Sequence, residues 1–226
     1  KFMQKTKIIA TLGPSCNNRE KIHQMLVDGL DVVRINMSHT KNISTLKKQV
    51  SMIRSVANKL NKDISIMMDL GGPKIRVLLD SIASQIQIIK GKQYTFGYKN
   101  CNICIDTHIN FEPIIKNSHI KIDDGSISFS IKRVLKNKLS LIALNHGTIT
   151  NHKGVNFPGI DLKVPAVTPI DKQNIVHAIN LEIDWIAQSF VRRSNNILPL
   201  KRILKKYKKA IPIIAKIEKP EAIDNL

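Results

Sequence analysis

Two charged residues follow an apolar run near the C-terminal end of the sequence. Residues 211–215 form that run, and Lys216 and Glu218 come directly after it. If this segment is a β-strand, its side chains alternate between two faces, so Lys216 and Glu218 point the same way. A cation and a carboxylate on one side of a strand tip could bind a metal-bound anion between them. A strand end that serves only packing does not need such a pair.

Further polar side chains come at the ends of other predicted strands, where parallel α/β barrels carry their catalytic residues. Arg34, Asn36 and Ser38 share one face of an alternating segment. The other candidates are Asp69, Ser189 and the turn Gly13-Pro14-Ser15. Taken singly, Arg34 could form a salt bridge at the rim and Asp69 could cap a turn. Together they supply cations for an anion and oxygens for metal ions, which phosphoryl transfer requires because its catalysis is mostly positioning and charge neutralisation.

The apolar spacing predicts alternating strands and helices at both ends of the chain. Asn17 is expected to cap the first helix and Gly29 to end it. The predicted strands are 7–11, 31–37, 64–69, 184–189 and 211–218, with helices at 43–60, 168–181, from about 199 and from 220. Strands separated by helices imply parallel pairing with right-handed crossovers.

The segment between these regions has a different pattern. Gly71-Gly72-Pro73 interrupts the alternation, and short strands are predicted at 84–89, 93–98, 119–122, 126–134 and 139–144 without a helix. This pattern indicates an all-β insertion, either a small barrel or a sandwich. The fold class is therefore α/β: the first five strands of a (β/α)8 barrel in residues 1–72 and 166–226, with the β domain in 73–165 inserted after strand 3.

The composition favours a cytoplasmic protein that binds neither membranes nor nucleic acids. No apolar run approaches the roughly 20 residues of a membrane span, and the first seven residues do not lead into an apolar signal core. The formal net charge of +19 could indicate nucleic-acid binding. Aromatic residues for base stacking are few, however, and the densest basic segment, 201–209, has the spacing of a solvated helix face.

A lone CxxC pair is the remaining candidate site. Cys101 and Cys104 would need two more ligands to hold zinc, and His108 and His119 are available. Their spacing matches no common zinc pattern, so neither a zinc site nor a redox role is favoured.

The same polar residues lie in segments that resemble the pyruvate kinase family. The segments are 6–15, 33–39, 69–76, 123–125, 153–159, 188–192 and 214–218, in family order and with family-like gaps. The resemblance implies transfer of a phosphoryl group from phosphoenolpyruvate to ADP, which gives pyruvate and ATP as the last step of glycolysis. It also implies that the β insertion is a lid that closes over the nucleotide and excludes water.

The resemblance assigns a role to each candidate. Lys216 would be the catalytic cation beside the transferring phosphoryl group, with Arg34 and Ser189 binding substrate and Glu218 binding Mg²⁺. Asn36, Ser38, Asp69 and the Leu70 carbonyl would form a potassium site. The residues assigned to the nucleotide are Arg76, Lys153, Asn36, His39 and Pro14.

One departure from the family pattern bears on potassium. Lys74 stands where many members have a glutamate, and an ammonium group there disfavours a monovalent cation by Coulomb repulsion. Leu70 and Val77 also fit the subset of the family that carries this lysine and resembles potassium-independent enzymes. We therefore expect activity that does not require K⁺.

The resemblance covers the front part of the family pattern. A later acidic motif for Mg²⁺ and a C-terminal regulatory domain would follow in a full-length protein, which is expected to be a homotetramer. The 226 residues alone are expected to be inactive and prone to aggregation, since five of eight strands leave open edges. Two alternatives are a truncated remnant that binds nucleotide or a partner without turnover, and a basic nucleic-acid-binding module built on the β insertion.

Overall fold

The structure is a computed structural model that describes residues 6–38, 42–79, 84–112, 114–160, 162 and 164–226. His39, which the family resemblance assigns to the nucleotide, lies outside the described residues. The chain forms two compact units, one of Lys1–Pro73 with Ala166–Leu226 and one of Lys74–Pro165. No helix in the described ranges is both long and apolar enough to cross a membrane.

The first part of unit 1 alternates strands and helices. Its elements are β1 (Ile9–Thr11), α1 (Arg19–Val27), β2 (Val32–Asn36), α2 (Ile43–Lys59) and β3 (Ser65–Asp69). The predicted cap Asn17 is wrong, because the extended residue before the helix is Asn18, whose side chain accepts a hydrogen bond from the Lys21 N–H at 2.9 Å. Gly29 follows this helix with φ of 104°, a left-handed conformation that glycine adopts without steric cost.

Unit 2 is built of short strands, and its described residues contain no helix. The strands are β4 (Ile75–Arg76), β5 (Gln85–Ile88), β6 (Gln93–Gly97), β7 (Ile103–Cys104), β8 (His119–Ile122), β9 (Ile127–Leu135), β10 (Lys138–Ala143), β11 (Gly147–Thr150) and β12 (Gly154–Asn156). Seven of them form one sheet in the order β4-β12-β8-β9-β10-β6-β7, while β11 pairs with β5. Val77 and Ile105, which directly follow the two outer strands β4 and β7 of the larger sheet, form an antiparallel bridge. This bridge closes the sheet, so unit 2 is a small barrel, filled by residues such as Phe96 and Phe129.

The alternation resumes in the last part of unit 1. A capping box between Thr168 and Asp171 starts the first of its helices, at the residue where the sequence predicts a helix to begin. The predicted fifth strand at 211–218 is too long: the observed strand has three residues, so Lys216 and Glu218 lie beyond its end. The elements are α3 (Pro169–Asn180), β13 (Trp185–Gln188), α4 (Leu198–Lys206), β14 (Ile213–Ala215) and α5 (Pro220–Ile223), with a short 3₁₀ helix at Ser194–Ile197 before α4.

The five strands of unit 1 form one parallel sheet in the order β1-β2-β3-β13-β14. Within unit 1 the order in the sheet is the order in the chain, which is the arrangement of successive strands in a (β/α)8 barrel. The predicted fold class, a partial barrel of five strands with a β insertion after the third, is confirmed. Since all five strands run in one direction, their last residues meet at one edge: Thr11, Asn36, Asp69, Gln188 and Ala215.

Candidate functional site

A buried carboxylate lies at the centre of the candidate site. Asp69 is the last residue of β3 and is 1% exposed. In the parallel register it lies between Asn36 of β2 and Ala187 of β13. A carboxylate taken out of water is costly unless cations and hydrogen-bond donors surround it. The neighbouring strand ends supply both.

The guanidinium group of Arg34 is the first partner of this carboxylate. Its Nε donates to Asp69 Oδ2 at 2.8 Å, and its Nη2 donates to the same oxygen. Its Nη1 donates to Thr11 Oγ1 of β1 at 2.8 Å. The alternation of β2 turns Val33 and Ile35 into the core and leaves the Arg34 side chain 30% exposed. One arginine therefore connects three strands while part of it remains open to a ligand.

The ammonium group of Lys216 is the second partner. Its Nζ donates to both carboxylate oxygens of Asp69 at 3.0 Å and to Ser189 Oγ at 2.9 Å. The Ser189 hydroxyl donates to the Leu70 carbonyl at 2.7 Å. Lys216 is placed beside this hydroxyl because its backbone N–H donates to the Gln188 carbonyl at 3.0 Å, which extends the pairing of β13 and β14 past the strand end. Ser189 thus holds the lysine against Asp69.

Glu218 borders this group. Its Oε1 lies 3.2 Å from Lys216 Nζ, and its Oε2 accepts the backbone N–H of Phe190 at 3.0 Å. Lys216 and Glu218 are therefore neighbours, although both lie beyond β14. Their side chains are 25% and 34% exposed, so a small ligand can approach both.

A glutamate of this exposure fits one ligand position of Mg²⁺, whose remaining ligands would be substrate oxygens and water. The described part of the chain contains no group of three His, Cys, Asp or Glu side chains that could hold a metal ion by themselves. Glu218 would therefore hold the ion weakly without substrate.

Three of the four residues assigned to potassium have oxygens that already contact other groups. Asn36 Oδ1 accepts the Ser38 N–H at 3.0 Å, and the Leu70 carbonyl accepts the Ser189 hydroxyl at 2.7 Å. Asp69 is already paired with Arg34 and Lys216. Two cationic side chains therefore already contact this carboxylate.

Sequence reasoning missed three supporting residues. Asp171, which is 2% exposed, closes the cap of α3 and also accepts the Gly72 N–H at 3.3 Å. Thr11 binds Arg34, and Phe190 binds Glu218 through its backbone. The capping box was a visible signal for Asp171, but side-chain pattern cannot reveal which backbone N–H will meet a distant carboxylate.

The remaining candidates are placed as follows. Pro14 lies in an exposed turn after β1. In unit 2, Arg76 Nη1 donates to the His152 carbonyl at 2.9 Å, and Lys153 Nζ forms an ion pair with Asp123 Oδ1 at 2.9 Å. Lys74 is exposed in the same unit. These contacts leave both Arg76 and Lys153 with further donors, since a guanidinium carries five N–H groups and an ammonium three.

Comparison with known proteins connects this arrangement to one family. The family described as "Pyruvate kinase, barrel domain" matches residues 3–226. The chain is 34% identical over 237 residues to a pyruvate kinase of Staphylococcus epidermidis, an alignment that covers 99% of this chain and 39% of that protein. It is 32% identical over 231 residues to a pyruvate kinase of Clostridium perfringens, with 99% and 48% covered, and 34% identical over 233 residues to pyruvate kinase 2 of Synechocystis, with 99% and 39% covered. The chain thus spans less than half the length of these curated relatives.

Proposed function

This chain belongs to the pyruvate kinase family, and we propose that the whole protein transfers the phosphoryl group of phosphoenolpyruvate to ADP, giving pyruvate and ATP. The observation that supports this most directly is the convergence of Arg34 and Lys216 on Asp69, with Glu218 at 3.2 Å from the lysine. Two cations and a metal-binding carboxylate on one rim suit a substrate that carries a phosphate and a carboxylate.

Arg34 binds the phosphate of phosphoenolpyruvate. Its guanidinium offers a planar set of donors that matches phosphate oxygens, and Asp69 and Thr11 fix its orientation before the substrate arrives. Because the group is already oriented, little free energy is lost in ordering it during binding.

Lys216 is the catalytic residue. Its ammonium stabilises negative charge on the transferring phosphoryl group and on the enolate oxygen that is left behind. Ser189 takes part in substrate binding and holds the ammonium in place through the 2.9 Å contact between Ser189 Oγ and Lys216 Nζ. A fixed cation that need not reorganise as charge develops lowers the barrier more than a mobile one.

Glu218 holds Mg²⁺, which supplies charge neutralisation for the substrate oxygens when bound. We expect no potassium requirement, because Lys74 stands where many family members have a glutamate and an ammonium group there disfavours a monovalent cation. The nucleotide phosphates bind to Arg76 and Lys153 of unit 2. Pro14, Asn36 and His39 remain family-based candidates for the nucleotide, and the cytoplasmic location and the homotetramer remain predictions.

A coupled assay of the full-length protein tests the proposal. Pyruvate formed from phosphoenolpyruvate and ADP is measured for the wild type and for Lys216→Ala, with and without Mg²⁺. We expect Mg²⁺-dependent turnover in the wild type and a loss of at least about 100-fold in the variant, the scale of removing one charge-stabilising group. A wild type without turnover, or a variant with nearly full turnover, contradicts the proposed function.

The 226 residues expressed alone are expected to behave differently from the full-length protein. Their parallel sheet ends in β1 and β14, which have only one neighbour each among the described strands. Unpaired strand edges favour association with other chains. We expect this polypeptide to aggregate and to give no measurable turnover in the same assay, whereas a monodisperse, active polypeptide contradicts this expectation.

A further inference from the structure

We infer that Phe190 is a positioning residue for the metal-binding carboxylate of Glu218, and that its unusual backbone conformation is what aims its N–H at that carboxylate. This inference rests on the proposed role of Glu218 in binding a divalent cation. It concerns a residue that acts through Glu218.

The backbone of Phe190 is the first observation. Its φ is 55°, in the left-handed region that bulky residues rarely adopt. In this conformation its N–H donates to Glu218 Oε2 at 3.0 Å. Outliers of this kind persist only where the surroundings enforce them, and they concentrate at functional sites.

The ring of Phe190 is held from one side by a glycine. A Cβ added to Gly72 would lie 3.0 Å from Phe190 Cδ2 and 3.2 Å from the Ser189 carbonyl. Gly72 itself has φ of 65°, so two residues that face each other are both in left-handed conformations. The absence of a side chain at Gly72 lets the ring pack there, and this packing keeps the Phe190 backbone in place.

A cation lies near the same ring. Lys219 Nζ is 5.6 Å from the ring centroid, within the range of a cation–π interaction. Gly72 and Lys219 come from different parts of unit 1, and both contact the ring. The ring therefore has little freedom to leave its position.

Two adjacent residues each position one member of the charged pair Lys216 and Glu218. Ser189 contacts Lys216 through its hydroxyl at 2.9 Å, and Phe190 contacts Glu218 through its N–H at 3.0 Å. If Phe190 relaxes to negative φ, the N–H turns away, and Oε2 loses the donor that fixes its direction. Glu218 then remains paired with Lys216 but no longer presents its carboxylate in one orientation, so a divalent cation binds more weakly.

The test is Mn²⁺ binding to the full-length protein without substrate, measured from the electron paramagnetic resonance signal of free Mn²⁺. The variants are Phe190→Ala, Phe190→Tyr and Glu218→Gln, with Tyr207→Ala as a matched control because Tyr207 is an exposed aromatic residue on the surface of unit 1. We expect the dissociation constant to rise by about five- to ten-fold for Phe190→Ala, and to stay within about two-fold for Phe190→Tyr and Tyr207→Ala. Thermal unfolding checks that each variant is folded.

The outcomes separate this inference from the proposed function. A wild type without turnover in the coupled assay defeats the proposed function. If Glu218→Gln loses Mn²⁺ affinity and folded Phe190→Ala does not, the inference about Phe190 is wrong and the proposed function stands. If Glu218→Gln binds Mn²⁺ as tightly as the wild type, the inference is also wrong. If Phe190→Ala does not fold, Phe190→Leu replaces it, since leucine lacks the aromatic ring but resists positive φ as other bulky residues do. A change below two-fold in that variant overturns the inference.

Discussion

Lys216 Nζ lies 3.0 Å from both carboxylate oxygens of Asp69, although the two residues are 147 positions apart in the chain. Arg34 donates to the same carboxylate from the neighbouring strand. One buried aspartate therefore holds two cations from opposite sides. Both cations remain partly exposed, so the positions that they present to solvent depend on a carboxylate that is itself buried.

Replacing Asp69 by asparagine should destabilise the fold as well as the site. The amide has the shape of the carboxylate but no charge, so Arg34 and Lys216 would repel each other across it. Breaking a buried pair costs about 3–5 kcal/mol, and because the cations are 25–30% exposed we expect roughly 2–3 kcal/mol here. The measurement is the urea midpoint of the full-length protein.

Asp28→Asn is the matched control for this change. Asp28 accepts a hydrogen bond from Gln24 on an exposed helix end, so its replacement should change the free energy of unfolding by less than about 0.5 kcal/mol. Equal midpoints for the two variants would show that Asp69 contributes no more than a surface carboxylate.

Much of the fold could be predicted because its signals are local. The alternation in 31–37 and the helical spacing in 43–60 predict β2 and α2 to within a residue or so at either end. The shortest strands of unit 2, such as β4 and β7 with two residues each, were not predicted. Two residues show no period, and such strands exist because a neighbouring strand offers hydrogen bonds.

The sequence predicted which charged residues form the site better than it predicted the contacts between them. Strand-end position and the family resemblance both pointed to Arg34, Asp69 and Lys216, and the structure brings these three together. The contact between the Phe190 N–H and Glu218 could not be foreseen, since a phenylalanine carries no sign in the sequence that its φ is positive. Long-range contacts depend on the register of strands that are distant in the chain.

Potassium should change turnover of the full-length protein by less than about two-fold. Lys74 stands where many family members have a glutamate, and its ammonium group disfavours an added monovalent cation by Coulomb repulsion. Turnover is compared in potassium chloride and in tetramethylammonium chloride at one ionic strength and saturating Mg²⁺. A rise of several-fold with potassium contradicts the prediction.

Lys153→Ala should raise the KM for ADP about ten-fold and change kcat less. Losing one hydrogen bond from a charged group costs about 1.5–3 kcal/mol, which corresponds to at least a ten-fold loss of affinity. The ion pair of Lys153 with Asp123 is partly exposed, so its loss alone should change the stability of the fold very little. Lys132→Ala, an exposed lysine on β9 of the same unit, is the control. Equal KM values for both variants would assign Lys153 a structural role only.

The pH dependence of stability should include a contribution from Asp31, which joins the start of the chain to β2. Its Oδ2 accepts the Ile8 N–H at 2.8 Å and its Oδ1 pairs with Lys7 Nζ at 2.9 Å, and these contacts lower the pKa of Asp31 below its ordinary value. A carboxyl whose pKa is lower in the folded state stabilises the fold above its unfolded pKa of about 4, and this contribution is lost as the pH falls through the folded pKa. The unfolding temperature of the wild type should therefore exceed that of Asp31→Asn at pH 6, and the difference should shrink by pH 3. Asp63→Asn, which replaces an exposed aspartate, serves as the control. If the difference in unfolding temperature between wild type and Asp31→Asn stays constant from pH 6 to pH 3, the carboxylate contributes through its shape and not through its charge.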